Sequence, residues 1–542
     1  MKMENPMKLN NRALAVFATV AMGSSLLAAC SDAGETKSAT GDAGANATSA
    51  GIVSYNGCEP RNPFLPGLAN ETCVVGVMNY VNARLVGYDV DGKMYNELAE
   101  SVESTDNKTW TIKVKAGQKF SDGTPINADS FINAWNYIVR ENQTQAFFFE
   151  NVAGYEPGKD LAGLKKVDDQ TFTVELNQAE SDFPLRLGFV VYAPLPEVAF
   201  KDMKAFGEKP VSSGPYVVKE WVHQRSVTMD VNPNYDGPRK AKNGGLEYRM
   251  YTSPDTAYND LLGGNLDVIS TVPDSALSTV KTDLEGRDIS RSMAGVLAIG
   301  IDMTTPHFQG EEGKLRRAAI SMAINREEVI KNIFDGTKQP AEDFTSPAVD
   351  GWKSGLPGSE VLKFNPEKAK ELWAKAEAIS KFEGPFKVAY NSDGGNQGWV
   401  DAICNQVKNN LGVAAEGESF PDYKSLAGAI HDLTLKGAFR ANWTADYPSQ
   451  YNFLGPVYAS NADSNRFNYK NEKFDALLKQ GLGENDPKAA QAKYAEAQQI
   501  LLDELPAIPL WYRAITAGYS SKVSNVKFTG DGFPVLSQVQ KP

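Results

Sequence analysis

The chain has 542 residues, of which 42% are hydrophobic and 23% charged, enough for a large core and at least two domains. Its formal net charge of -12 leaves no excess of Lys and Arg to neutralise phosphates, which argues against a nucleic-acid partner. After residue 29 no stretch approaches the roughly 18 continuous apolar residues that a membrane-spanning helix needs.

The first segment reads as targeting. Lys2, Lys8 and Arg12 precede an apolar run from Ala13 to Ala29, the charged and hydrophobic regions of a secretory signal over residues 1–29. The run ends Leu27-Ala28-Ala29-Cys30, which resembles a bacterial lipobox, with Cys30 as the residue to be lipidated. The alternative is a plain signal peptide followed by a chance cysteine. Residues 30–51 are Ser, Thr, Gly, Ala and Asp almost throughout, a composition that cannot bury enough apolar surface to fold. A lipid-anchored flexible linker is expected there, with the protein on the extracytoplasmic face of the cell membrane.

Three further cysteines follow. Cys58 and Cys73 flank a proline-rich segment, and a disulfide between them would close a loop of about fifteen residues. Cys404 lies in a helical pattern, Asp401-Ala-Ile-Cys404-Asn-Gln-Val407, and reads as a buried free thiol. With no CxxC spacing and only His223, His307 and His431, neither a metal site nor a cofactor is expected.

From Lys108 to Val114 apolar and polar residues alternate, as in an amphipathic strand. The Asp122-Gly123-Thr-Pro125 turn follows, and Asn127 or Asp129 is placed to cap a helix over Ser130–Ile138. Two apolar runs, Val296–Ile301 and Ile508–Tyr512, are bounded by polar segments, as strands buried in a core should be. Between them, Gly437-Ala-Phe-Arg440-Ala-Asn-Trp443-Thr-Ala-Asp446-Tyr447-Pro448 reads as a strand that delivers a cation, an indole and a carboxylate to a loop. The alternative there is a core Trp, with Asp446 capping a turn before Pro448.

The phrase Phe120-Ser-Asp122-Gly123-Thr-Pro125-Ile-Asn-Ala128-Asp129 resembles the hallmark of the family 5 extracellular solute-binding proteins of ABC importers. Ser213-Gly214-Pro215-Tyr216, Asn232-Pro-Asn-Tyr235, Gly264-Asn-Leu266-Asp267, Leu315-Arg-Arg-Ala318 and Leu505-Pro-Ala-Ile-Pro509 resemble further family phrases, in the family's order. The resemblance implies an α/β fold of two lobes, periplasmic-binding-protein-like (type II), with an extra subdomain on the N-terminal lobe. Lobe I would comprise 52–85, 197–297 and 513–542, the extra subdomain 86–196, and lobe II 298–512.

It also implies a function: a monomeric, non-enzymatic protein that closes its lobes on an extracellular oligopeptide and hands it to an ABC permease. By position in the family's motifs, Asp446 would pair with the ligand's ammonium group and Arg440 with its carboxylate. Trp443, Tyr447 and Tyr423 would line the ligand, and backbone at Ser213 and Gly214 would approach it. An oligosaccharide ligand is the alternative on the same fold, with Trp443 and Trp399 available for stacking. An exported hydrolase is the more distant one, since no G-x-S-x-G, H-E-x-x-H or Walker A motif is found.

Overall fold

The computed structural model describes residues 50–542 apart from Leu433, Lys436 and Asp463. The expected signal sequence, Cys30 and nearly all of the linker therefore lie outside the described residues. Within them, two long antiparallel strands organise the chain: Asp288–Ile301 and Ala507–Tyr519. They contain the two apolar runs of the sequence, extended by several residues at their polar ends. Their pairing is regular from Asp288–Ser292 against Ala514–Gly518, resumes at Val296 against Tyr512, and breaks register between Ser292 and Val296 and again between Leu297 and Ala298. Such a break leaves residues unpaired and bends the ladder.

The two strands are the middle of an eleven-stranded sheet among the described residues. On one side, Ala438–Thr444 lies antiparallel to Asp288–Ile301, followed by Phe386–Asn391 and Ala415–Phe420, both parallel. On the other, Val268–Ile269 leads to Ile52–Gly57, Gly245–Met250, Ser226–Val231 and Tyr216–Val222. Apolar packing is divided in the same way. One core holds Val53, Val77, Tyr216 and Val268, while separate clusters cover the far half of the sheet around Ile299, Val388 and Trp511 and around Phe439, Leu454 and Tyr494. A two-lobe α/β molecule results.

Residues 99–175 form a four-stranded antiparallel sheet with its own core, in which Trp135, Phe131 and Phe172 are fully buried. The strand Thr109–Val114 alternates exposed and buried residues as its sequence requires. Asn127 caps the helix Ala128–Arg140, accepting the Ser130 N–H at 3.1 Å, while Asp129 lies inside its first turn. Buried Glu97 fastens this subdomain to lobe I, accepting from the Tyr235 hydroxyl at 2.7 Å and Arg239 Nε at 2.8 Å.

Cys58 and Cys73 are joined in a disulfide, and Cys404 is free and buried on the helix Gln397–Leu411. Phe148 and Phe149 belong to the subdomain core, whereas Phe147 is half exposed.

Candidate ligand-binding site

The strand Ala438–Thr444 begins in the core and ends outside it. Ala438 and Phe439 are buried, and Phe439 stacks on Phe467 with ring centroids 5.9 Å apart. Further along, Arg440, Asn442 and Thr444 share one face, because side chains two apart point the same way. That face retains solvent contact, whereas Ala441 and Trp443 on the other pack against the cluster around Phe439 and Leu454.

Arg440 and Tyr423, more than a dozen residues apart in sequence, are brought together. The guanidinium carbon stands 5.2 Å from the Tyr423 ring centroid, a cation–π arrangement. Arg440 Nε donates to Asn391 Oδ1 at 3.1 Å, and its NH1 donates to Asn442 Oδ1. Burial disfavours its charged form, opposed by the nearby Tyr423 and Asp393.

Six residues on, Asp446, Trp443 and Asn452 form a second group. Asn452 Oδ1 accepts the Asp446 N–H at 3.0 Å and Trp443 Nε1–H at 3.3 Å, and its Nδ2 donates to Asp446 Oδ2 at 3.3 Å. Asp446 is set deep in the molecule yet keeps solvent contact. Burial pushes its carboxyl up to about 6, against the Asn452 amide and the positive charge of Arg186.

Arg186 belongs to the subdomain and reaches the other lobe. Its guanidinium carbon lies 5.4 Å from the Tyr447 ring centroid, and its NH2 is 2.9 Å from Glu180 and 3.9 Å from Asp182. Ser449 Oγ donates to Asp182 at 3.2 Å, and the Ser181 N–H donates to Leu482 O at 2.7 Å, so subdomain and lobe II are in contact here. Asp182 too is pushed up to about 6 by burial. Two carboxylates, Glu180 and Asp182, thus lie within 4 Å of one guanidinium, whose charge also reaches Asp446. Tyr447 is buried beneath that guanidinium.

Ser213 and Gly214 are placed differently. Ser213 is buried, its hydroxyl accepting the Ala83 N–H at 2.9 Å. The Gly214 N–H donates to Val81 O at 2.9 Å and its carbonyl accepts from Asn232 Nδ2 at 2.8 Å. Both tie the loop before the strand Tyr216–Val222 to the segment Val81–Ala83. Trp399 does not face the site: it is 2% exposed and packs edge-on against Trp511, so it offers no stacking surface to a sugar. Its apolar spacing on a helix was the signal for a core residue.

Arg186 and Asp182 carry no local signal in the sequence, arriving from some 260 positions away. Asn452 lies in the first turn of the helix Gln450–Tyr458, only six positions beyond Asp446.

Residues 93–465 match the model of the bacterial extracellular solute-binding proteins, family 5 middle. The chain is 27% identical over 490 residues to the oligopeptide-binding protein OppA of Bacillus subtilis, covering 86% of this chain and 88% of the relative. It is 28% identical over 427 residues to the dipeptide-binding protein DppE of the same organism, covering 76% and 77%. Among solved structures, the complex of Haemophilus influenzae OppA with RPPGFSPFR superposes with a TM-score of 0.74 at 20% identity, covering 91% of this chain and 99% of that one. The substrate-binding protein CtaP of Listeria monocytogenes superposes with a TM-score of 0.77 at 22% identity, covering 91% and 100%. These structural likenesses establish the two-lobe fold.

Proposed function

The chain belongs to the bacterial extracellular solute-binding proteins of family 5, and from that membership we propose that it captures extracellular oligopeptides between its lobes and delivers them to an ABC permease. The observation that carries this reading is the charge layout at the end of the Ala438–Thr444 strand: the Asp446 carboxylate just beyond it, near Asp182 and Glu180 around Arg186, and on the strand the Arg440 guanidinium, bonded to neutral partners. A peptide ligand carries the complementary pair, an ammonium at one end and a carboxylate at the other.

In this reading Asp446 takes the ammonium. A charge-assisted hydrogen bond in a site of low dielectric is strong and discriminates against ligands that lack the amine. Arg440 takes the carboxylate, for which a planar guanidinium fork is suited. They are six positions apart, at most roughly 20 Å between Cα atoms in a fully extended chain. Trp443, Tyr423 and Tyr447 shape the walls. The register break between Ser292 and Val296 is the hinge, where two strands absorb the motion between lobes.

Anchoring at the outer face of the membrane through Cys30 belongs to the same proposal, since a tethered binder meets its permease at high effective concentration.

The test is isothermal titration of the purified protein with di- to octapeptides, each also N-acetylated or C-amidated, against wild type and Asp446→Asn. Acetylation and Asp446→Asn are each expected to cost about 2–5 kcal/mol. Acetylated peptides should be indifferent to the substitution. Equal binding of free and acetylated peptides would sink the assignment of Asp446.

A further inference from the structure

The open face of the Ala438–Thr444 strand carries more positive charge than one peptide carboxylate can answer. Arg513 lies on the strand Ala507–Tyr519 at the register break and faces Gly295. A Cβ on Gly295 would stand 2.8 Å from Arg513 Cδ and 3.0 Å from Trp443 O, so glycine is what lets the arginine side chain cross. Its NH1 then donates to Thr444 Oγ1, at the end of the same open face that carries Arg440. One row on the Ala438–Thr444 strand thus runs Arg440, Asn442, Thr444, with a guanidinium at each end.

Both arginines are bonded only to neutral acceptors in the contacts found: Asn391 and Asn442 for Arg440, Thr444 for Arg513. A guanidinium has five N–H donors, so most remain available. Among the described residues neither has a carboxylate oxygen within 4 Å. Several other arginines of the same molecule differ. Arg186, Arg239 and Arg316 are paired with Glu180, Glu97 and Glu312. Arg326, fully buried and without a carboxylate, is instead wrapped by the carbonyls of Pro509, Ser321 and Leu362. Arg440 and Arg513 have neither arrangement, and both keep solvent contact. Each is also close enough to matter to the other: beside burial, Arg440 disfavours the charge of Arg513, which in turn disfavours that of Lys338.

We propose that Arg513 is a specificity-determining residue that binds a second carboxylate on the ligand, so that peptides with an acidic side chain are the preferred class. The proposal rests on the peptide reading above. Arg440 receives the terminal carboxylate, and Arg513, nearer to Asp446 along the strand, receives the side-chain one. The net charge of -12 opposes acidic ligands at long range, so any preference for them has to come from such a local site.

Calorimetry with Ala-Ala-Ala, Ala-Glu-Ala and Ala-Ala-Glu against wild type, Arg513→Lys and Arg513→Gln tests it. In wild type at least one acidic peptide is expected to bind about 10- to 100-fold more tightly than Ala-Ala-Ala, the range of a hydrogen bond to a charged group. Arg513→Gln should abolish that preference and leave Ala-Ala-Ala unchanged, with Arg513→Lys retaining part of it. Equal binding of all three by wild type overturns the proposal, and this arm needs no variant to fold. So does an equal loss for neutral and acidic peptides in Arg513→Gln, which would make Arg513 a scaffold residue. If no peptide binds, the peptide reading falls as well, whereas neutral binding without acidic preference removes the Arg513 proposal alone.

Discussion

Asn452 holds Asp446 from both sides, taking its N–H at 3.0 Å and donating to its carboxylate at 3.3 Å. The same amide oxygen also accepts Trp443 Nε1–H at 3.3 Å. One buried side chain therefore fixes both the proposed ammonium partner and the indole beside it. Removing it strands two donors in a place where water is scarce.

Asn452→Ala is accordingly expected to destabilise the fold by about 1–3 kcal/mol through the unpaired donors. Losing the amide that favours the ionised carboxylate should also weaken peptide binding near neutral pH. Denaturant midpoints and titration calorimetry check the two effects separately.

The raised carboxyl of Asp446, at about 6 against an ordinary 3.8, has two consequences of opposite sign. In the unliganded protein the fold favours the protonated form. That contribution to stability is fully present below pH about 4 and is lost as pH rises through about 6, with Asp182 acting in the same direction. Binding an ammonium needs the ionised form, so affinity should rise across the same window and level off above it. Near pH 6 binding should release a proton, visible as heats that differ between buffers of different ionisation enthalpy. Asp446→Asn should remove Asp446's part of this buffer dependence.

Gly214→Ala tests the tie between the loop before the strand Tyr216–Val222 and the segment Val81–Ala83. A Cβ there would lie 2.7 Å from Tyr80 O and 2.8 Å from the backbone N and C of Asn82. Those atoms belong to the main chain and cannot swing aside as a side chain could. Destabilisation of about 1–3 kcal/mol is expected, read from chemical denaturation.

The Cys58–Cys73 disulfide spans 15 positions, worth roughly 3 kcal/mol in the chain-entropy model. The Tyr248 hydroxyl bridges its two ends, accepting the Cys58 N–H at 3.4 Å and donating to Cys73 O at 3.3 Å. Reductant, or the Cys58→Ser/Cys73→Ser pair, should lower the melting temperature while peptide affinity in the folded protein stays the same.

Several of the phrases by which the sequence resembled its family belong to the scaffold. Asp267, from Gly264-Asn-Leu266-Asp267, is buried and accepts from the Ser54 N–H at 2.8 Å and from Lys541 Nζ at 2.6 Å. Asn232 holds the Gly214 carbonyl and Tyr235 holds Glu97. Buried polar side chains with fixed partners tolerate few substitutes, which makes their phrases readable.

The sequence alone determined the family, the amphipathic strand Thr109–Val114, the cap at Asn127 or its neighbour, the buried Cys404 and the segment that carries Arg440, Trp443 and Asp446. Each depends on spacing within a short stretch, where chain geometry fixes which side chains can meet. The tertiary structure decided what surrounds them: Arg186 and Asp182 delivered from the subdomain, Tyr423 laid over Arg440, and Arg513 passed across Gly295 to the same face. Those contacts join residues from about 17 to about 260 positions apart. Only the packing of whole sheets and lobes brings them together, and no local period in the chain encodes it.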